Sequence, residues 1–314
     1  MEQLNSNRPG MTERLGLLIL MIFMAAGLML GGGLSLLAWK IMTGQSMIEM
    51  QTALMTPGYT NELRVIQTIS SFFMFCLPAF IAVWRLNTKP FDYMGFGTFS
   101  SFKTTLIGMV VMAATVFLSG ALATLNEMIP LTSTAKAYFD QLEDTYMKQV
   151  VLLSNMNGIG DLIVSLIVMA LAPAIFEEVF FRAGFQNMLT RATGKTILSI
   201  VITSLLFSAI HFSYYGFLSR VALGVTMGFL FAYSRNIWIP ILAHFLNNAI
   251  GVVQIYILHA AGKKIEDNMD DKFPLWVGLL ALVFIVIGLK IYRKSTLKDL
   301  ESKEGIKLEK ETLI

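Results

Sequence analysis

The chain has 314 residues, of which 55% are apolar and 14% charged, with a formal net charge of +3 and a single cysteine, Cys76. A soluble domain carries about a quarter charged residues, and here the apolar residues come in blocks long enough to cross a bilayer, which excludes an ordinary soluble core. The small net charge and the lack of a basic cluster interleaved with aromatics exclude a nucleic-acid partner. One cysteine excludes an intrachain disulfide, and neither CxxC nor HExxH is present.

Eight apolar segments lie close to the ~20 residues needed to span the hydrocarbon core. In chain order they are 15–39, 65–86, 103–125, 159–181, 195–212, 217–233, 237–258 and 273–292. The first is too long for a signal-peptide core and is followed by no small-residue cleavage site, so it reads as a retained helix. Only Ser213, Tyr214, Tyr215 and Gly216 separate the fifth from the sixth. With the N-terminus in the cytoplasm, 16 of the 24 Lys and Arg residues fall in cytoplasmic segments and 7 in outer ones. That bias favours both termini inside and an even number of spans. The expected fold is therefore all-α: a polytopic membrane helical bundle of about eight transmembrane helices. It comprises a membrane domain over 1–294, with a catalytic core at about 160–250, and a charged cytoplasmic tail over 295–314. The outer segment 126–158 carries Tyr138, Leu142 and Tyr146 at near-helical spacing, as an amphipathic helix on the outer surface would. A solvated connector fits it equally well.

Ionisable groups inside spans cost about 2.5–3.5 kcal/mol each on insertion scales, so they mark function by default. The fourth span ends in Phe176-Glu177-Glu178-Val179-Phe180-Phe181-Arg182. Glu178 and Arg182 are four apart and share a helix face, while Glu177 is rotated about 100° away. Glu178 and Arg182 can neutralise one another, leaving Glu177 to project into the bundle. The fifth span holds Phe207-Ser208-Ala209-Ile210-His211, and the seventh holds His244-Phe245-Leu246-Asn247-Asn248. His259 ends the seventh span and reads as interfacial. Arg220 reads as pairing with a carboxylate or snorkelling. Gly31, Gly32 and Gly33 read as positions of close helix packing. A carboxylate, two imidazoles and a carboxamide on three helices form a set that amide hydrolysis can use. A carboxylate or imidazole deprotonates water, and an imidazole N–H and an amide NH₂ stabilise the oxyanion. Glu177, His211 and His244 could alternatively hold a zinc ion that polarises the water.

These three motifs, Glu-Glu-x-x-x-Arg, Phe-x-x-x-His and His-x-x-x-Asn in that order, resemble those of the CPBP family, also called the Abi or type II CAAX-processing membrane endopeptidases. The resemblance covers about residues 160–250. It implies that Glu177 and His211 activate the catalytic water and that His244 and Asn248 stabilise the oxyanion, with Glu178 and Arg182 in support. Both a metalloprotease and a metal-free glutamate mechanism are argued for the family. Its eukaryotic branch cleaves prenylated CAAX proteins, and other members are linked to bacteriocin self-immunity or peptide processing. The resemblance thus implies a hydrophobic peptide or membrane-protein substrate, the lipid bilayer as surroundings, and a multi-pass protein of the cell membrane, the inner membrane in a bacterium. It leaves the oligomeric state open. Two other functions use the same residues: a non-catalytic peptide-binding or bacteriocin-immunity protein, and a proton-coupled transporter. Paired interrupted helices or repeats, the mark of many transporters, are absent from the sequence.

The span boundaries set a condition on this reading. If Arg182 marks the cytoplasmic end of the fourth span, Glu177 lies ~7 Å inside it, His244 ~10 Å inside the seventh, and His211 ~24 Å along the fifth. The three meet only if the fifth helix begins outside the cytoplasmic face or tilts strongly, with the turn at Ser213–Gly216 inside the protein and the site in the cytoplasmic half. The topology itself is open to test. Single cysteines introduced at positions 140 and 268 should react with an impermeant thiol reagent from the outer face, and reaction only from the cytoplasmic face contradicts the orientation.

Overall fold

The computed structural model describes residues 8–53, 58–98, 100–153, 156–263 and 272–304. Its principal elements are nine helices: α1 Glu13–Thr43, α2 Thr60–Leu86, α3 Phe102–Glu127, α4 Ser133–Leu153, α5 Ile159–Thr193, α6 Thr196–Ala209, α7 Phe217–Ser234, α8 Trp238–Ala260 and α9 Leu275–Glu304. Seven are long and apolar enough to cross a membrane: α1, α2, α3, α5, α7, α8 and α9. The expected fifth span is the shorter apolar helix α6, whose 14 residues cover ~21 Å of a ~30 Å hydrocarbon core. The protein is a multi-pass membrane helical bundle. Leu18, Ile22 and Met29 of α1 and Leu279, Phe284 and Ile287 of α9 are exposed on its outside, as a lipid-facing surface requires.

Two of the long helices contain proline beyond their first turn, and each accommodates it in the same way. A π-helical turn over Phe72–Cys76 precedes Pro78 in α2, and another over Leu166–Leu171 precedes Pro173 in α5. Proline cannot donate to the carbonyl one turn back. The wider turn lets neighbouring amides reach a carbonyl five residues earlier, Leu77 to Phe72 and Ala172 to Ile167, which keeps backbone groups satisfied where no lipid can do so.

The fourth span is longer than its apolar run suggests. Arg182 does not mark a membrane end: α5 continues to Thr193, and Arg182 is fully buried at its middle. The polar residues after it, which read as the start of a loop, are held inside the bundle. Gln186 Nε2 donates to the Gly228 carbonyl (3.0 Å) and Asn187 Nδ2 to that of Tyr93 (2.8 Å). Gly194, with φ +69°, ends the helix in the left-handed conformation that glycine adopts without strain. The chain then reverses into α6. Glu177 lies sixteen residues before Thr193 and His211 sixteen after Lys195, so each stands ~24 Å from the same turn. The depth conflict therefore disappears without a strong tilt.

At the far end of the hairpin the chain turns through 210–216 into α7. Ser213 is buried and Tyr214, Tyr215 and Gly216 are half-buried. Asn126 at the end of α3 fastens this turn from both sides: its Nδ2 donates to the Tyr214 carbonyl (2.9 Å) and its Oδ1 accepts from Leu218 N (3.3 Å), capping α7. The expected helix in 126–158 is α4, and it lies against the same turn. Ser213 Oγ donates to Glu143 Oε2 (2.8 Å), the Tyr215 hydroxyl donates to Asp140 Oδ1 (2.5 Å), and the Phe139 ring stacks on Tyr214 at 4.7 Å. Phe139, rather than Tyr138 beside it, supplies the aromatic contact. The charged tail begins as a continuation of α9, whose Asp299 carboxylate accepts from Ser101 N (2.8 Å) at the start of α3. Residues 305–314 of the tail and position 268 lie outside the described residues.

Helix α1 meets α2 through Gly27 and Gly31. A methyl group at Gly27 would clash with the Phe73 carbonyl oxygen, whereas one at Gly32 or Gly33 would meet nothing. Of the three expected close-packing glycines, Gly31 holds that role and the other two do not. Gly27→Ala should lower stability by about 1–3 kcal/mol through overpacking, visible as a lower melting temperature in detergent. Gly32→Ala should leave it unchanged, and equal melting of both variants contradicts this packing.

Candidate active site

The site forms where α5, α6 and α8 meet. Glu177 and Glu178 are the last residues before a π-helical turn over Val179–Gln186, a distortion of the kind that recurs at functional sites. Glu178 is fully buried and has two polar neighbours. Its Oε1 lies 3.1 Å from Arg182 Nη1 and accepts from His244 Nδ1 at 2.9 Å. Arg182 Nη2 donates to the Gly224 carbonyl (3.2 Å), which ties α5 to α7. The Phe207 ring completes the shell. It sits 4.9 Å from the Arg182 guanidinium carbon, 5.0 Å from the His211 ring and 5.8 Å from the His244 ring.

The histidines reach this point differently. His244 lies in the second turn of α8 and is buried. His211 follows the end of α6, where Ile210–Phe212 tighten into a short turn and Phe212 takes φ +50°. A bulky residue in that left-handed region is strained by roughly 1–2 kcal/mol, and Phe212 places its ring outward while His211 points in. His211 Nδ1 donates to the Phe207 carbonyl (2.7 Å), one turn back. Both Nδ1 atoms face an acceptor, a carboxylate for His244 and a carbonyl for His211. Both Nε2 atoms therefore face the other way, and both face Glu177. Its Oε2 is 4.0 Å from His211 Nε2 and 4.0 Å from His244 Nε2, and it is buried without a hydrogen-bond partner.

Those separations are too long for direct hydrogen bonds. They have the scale of a shared water: two hydrogen bonds of ~2.8 Å from one oxygen at a near-tetrahedral angle hold their partners ~4.4 Å apart. A tetrahedral zinc with bonds of ~2.0–2.1 Å would hold its donors ~3.3 Å apart. Among the described residues no group of three His, Cys, Asp or Glu side chains is arranged to hold a metal ion. As they stand, Glu177, His211 and His244 fit a bridging water better than a closed zinc shell. His211 is the most exposed of the three, at 26%, against 12% for Glu177 and 7% for His244, so the cluster opens to its surroundings on the His211 side.

The structure brings Glu177, Glu178, Arg182, His211 and His244 together. Asn248 stands one turn beyond His244 on α8, half-buried, where its Oδ1 accepts from Asn247 Nδ2 (3.2 Å). Sequence reasoning missed three parts of the site: the hydrogen bond that makes Glu178 the orienting partner of His244, the Phe207 carbonyl behind His211, and Asn126 beneath the turn. The spacing Glu178-x-x-x-Arg182 accounts fully for the ion pair and so concealed the first. The other two involve backbone groups, which leave no trace in residue type.

Comparison with known proteins agrees with the motif resemblance. Residues 159–250 match the family model described as type II CAAX prenyl endopeptidase, Rce1-like. Two Bacillus subtilis (strain 168) proteins are similar over part of their length. An uncharacterized protein, YpbD, is 26% identical over 104 residues, 32% of this chain and 55% of that protein. The protein named "Putative membrane peptidase YdiL" is 32% identical over 88 residues, 28% of this chain and 36% of that protein. The chain thus spans about half of one relative and about a third of the other. No solved structure matches it.

Because Glu178 faces a fully buried guanidinium, Glu178→Ala should leave that cation unpaired. A loss of about 3–5 kcal/mol is expected on the scale for broken buried pairs, read as lower folded yield and melting temperature. Changing both residues, to Glu178→Gln with Arg182→Met, should recover part of that loss. Failure of the double variant to recover any of it argues against the pair as the source.

Proposed function

We propose that this protein is an intramembrane endopeptidase that hydrolyses peptide bonds in a hydrophobic peptide or membrane-protein substrate within the cell membrane, with the α5–α6 turn on the cytoplasmic side. One observation carries this reading: a buried, unpartnered carboxylate oxygen of Glu177 equidistant from two imidazole nitrogens at the spacing of a shared water. The match of residues 159–250 to an endopeptidase family model supports it.

In this mechanism Glu177 accepts a proton from the bound water as it attacks the substrate carbonyl, and the neutral His211 Nε2 holds that water in line. The carbonyl carbon gains a C–O bond and its oxygen takes up the electron pair. His244 meets that oxyanion from Nε2, which can donate only while Nδ1 also carries its proton. The Glu178 carboxylate accepts a hydrogen bond from Nδ1 and fixes the ring so that Nε2 points toward Glu177. Asn248, one turn along the same helix, offers a second donor to the oxyanion. Collapse of the intermediate breaks the C–N bond, and Glu177 returns its proton to the leaving amine. No step requires a metal ion. The same residues would serve a non-catalytic peptide-binding protein, from which only turnover distinguishes them.

The test is incubation of purified protein with a membrane-peptide library. Glu177→Gln should lose about 10²–10⁴-fold in rate, the usual contribution of a general base, while keeping its melting temperature. Cleavage by Glu177→Gln at the wild-type rate refutes the assignment, and the absence of any cleavage by wild type favours the binding protein. Wild-type activity should also survive dialysis against a strong chelator. Loss that zinc restores would place a metal in the site.

A further inference from the structure

Arg220 is a cation inside a membrane helix for which the hydrolytic mechanism has no use. Its position follows from the register of α5 and α7. Arg182 bonds the carbonyl of Gly224, and Gln186 that of Gly228, so the two helices run parallel in matched turns. One turn earlier on each, the same register sets Arg220 opposite Glu178. Its side chain folds back along its own helix and lays the guanidinium against Gly216, in the turn that follows His211. A side chain at Gly216 would occupy the place of Nη1. The Tyr146 ring of α4 flanks the guanidinium at 5.8 Å.

Among the described residues this cation has no counter-ion. Nη1 is buried and has no hydrogen-bond partner, and among the described residues no carboxylate lies within ion-pair distance of Arg220. Glu178 is already committed to Arg182 and His244, and Asp140 and Glu143 to the turn. Arg220 also stands at the N-terminal end of α7, where the helix dipole is itself positive and a cation is disfavoured. Its guanidinium lies against Gly216, five residues after His211, on the side where the cluster is most exposed. A guanidinium held there, unpaired and next to the exposed side of the cluster, is suited to a planar anion that arrives with the substrate.

We infer that Arg220 is a specificity residue that binds a carboxylate of the peptide substrate beside the scissile bond, between Gly216 and Tyr146. This rests on the endopeptidase reading for its biological meaning. The carboxylate is either the free C-terminus of the peptide or an acidic side chain.

The test uses binding, so that it stands apart from turnover. Full-length Glu177→Gln protein in detergent is exposed to a library of ten-residue apolar peptides in three forms: free C-terminal acid, C-terminal amide, and amide carrying one internal Asp. Retained peptides are quantified by mass spectrometry. Either the free acids or the Asp-bearing amides should be enriched at least about tenfold over the plain amides, the size of one charge-assisted pair. Which of the two is enriched identifies the source of the carboxylate. Adding Arg220→Gln should abolish the enrichment while leaving retention of plain amides unchanged, and Arg220→Lys should keep part of it. Enrichment that survives Arg220→Gln, or equal retention of all three forms by the parent protein, overturns the inference. So does an equal loss of all three forms in Arg220→Gln and Arg220→Lys, which would make Arg220 a structural cation. Failure of wild type to cleave any peptide would count against the endopeptidase and leave this binding result standing on its own.

Discussion

Everything at the centre of this protein depends on a guanidinium that has no access to water. Arg182 is fully buried in the middle of a 35-residue helix, where an unpaired charge would be prohibitive. Its requirements fix the neighbours: a carboxylate one turn back, a backbone carbonyl from α7, and the face of Phe207. The carboxylate that answers Arg182 has a second acceptor direction, and His244 takes it. An electrostatic necessity on one helix thereby sets the orientation of an imidazole on another. Adjacent Glu177 is left out of this arrangement, and its exclusion leaves one oxygen free for chemistry.

The sequence carried the identities of these residues more faithfully than their surroundings. Glu177, His211 and His244 stand out because charged and titratable side chains are rare in apolar helices, and the structure brings them together. The division between Glu177 and Glu178 was also legible, since helical spacing alone pairs the second with Arg182. What failed was the reading of depth. A run of Gly184, Gln186, Asn187 and Arg191 looks like the exit from a membrane, and composition cannot reveal that Gly228 and Tyr93 carbonyls await the two amides. Once that segment was read as a loop, the fourth helix ended too soon and the histidine of the fifth appeared to lie too deep.

The fifth span shows the same limit from the other side. Its apolar residues pass for a full crossing, but α6 is a short helix that ends at Ala209, and α3 and α4 pack on the turn that follows it. Asn126, Asp140 and Glu143 supply the partners that an interfacial turn would take from water. Acidic residues of α4 therefore do structural work on the turn behind His211, although nothing in their spacing connects them to it. Polar residues far from the motifs make it possible for a polar site to exist among apolar helices.

The hairpin of α5 and α6 has arms of equal length, sixteen residues from its turn to Glu177 and sixteen to His211. Two helices joined at their base and packed together through Arg182 and Phe207 behave as a measuring gauge. Removal of one residue from either arm would lower its reacting group by ~1.5 Å and swing it through ~100° about the helix axis, out of reach of the other. Substitutions along the arms are tolerable wherever packing permits, but a length change in one arm has no local remedy. Variation in length among proteins built on this hairpin should therefore collect outside residues 177–211, in the turn after His211, α4 and the termini, while the count of residues between the two reacting groups stays fixed.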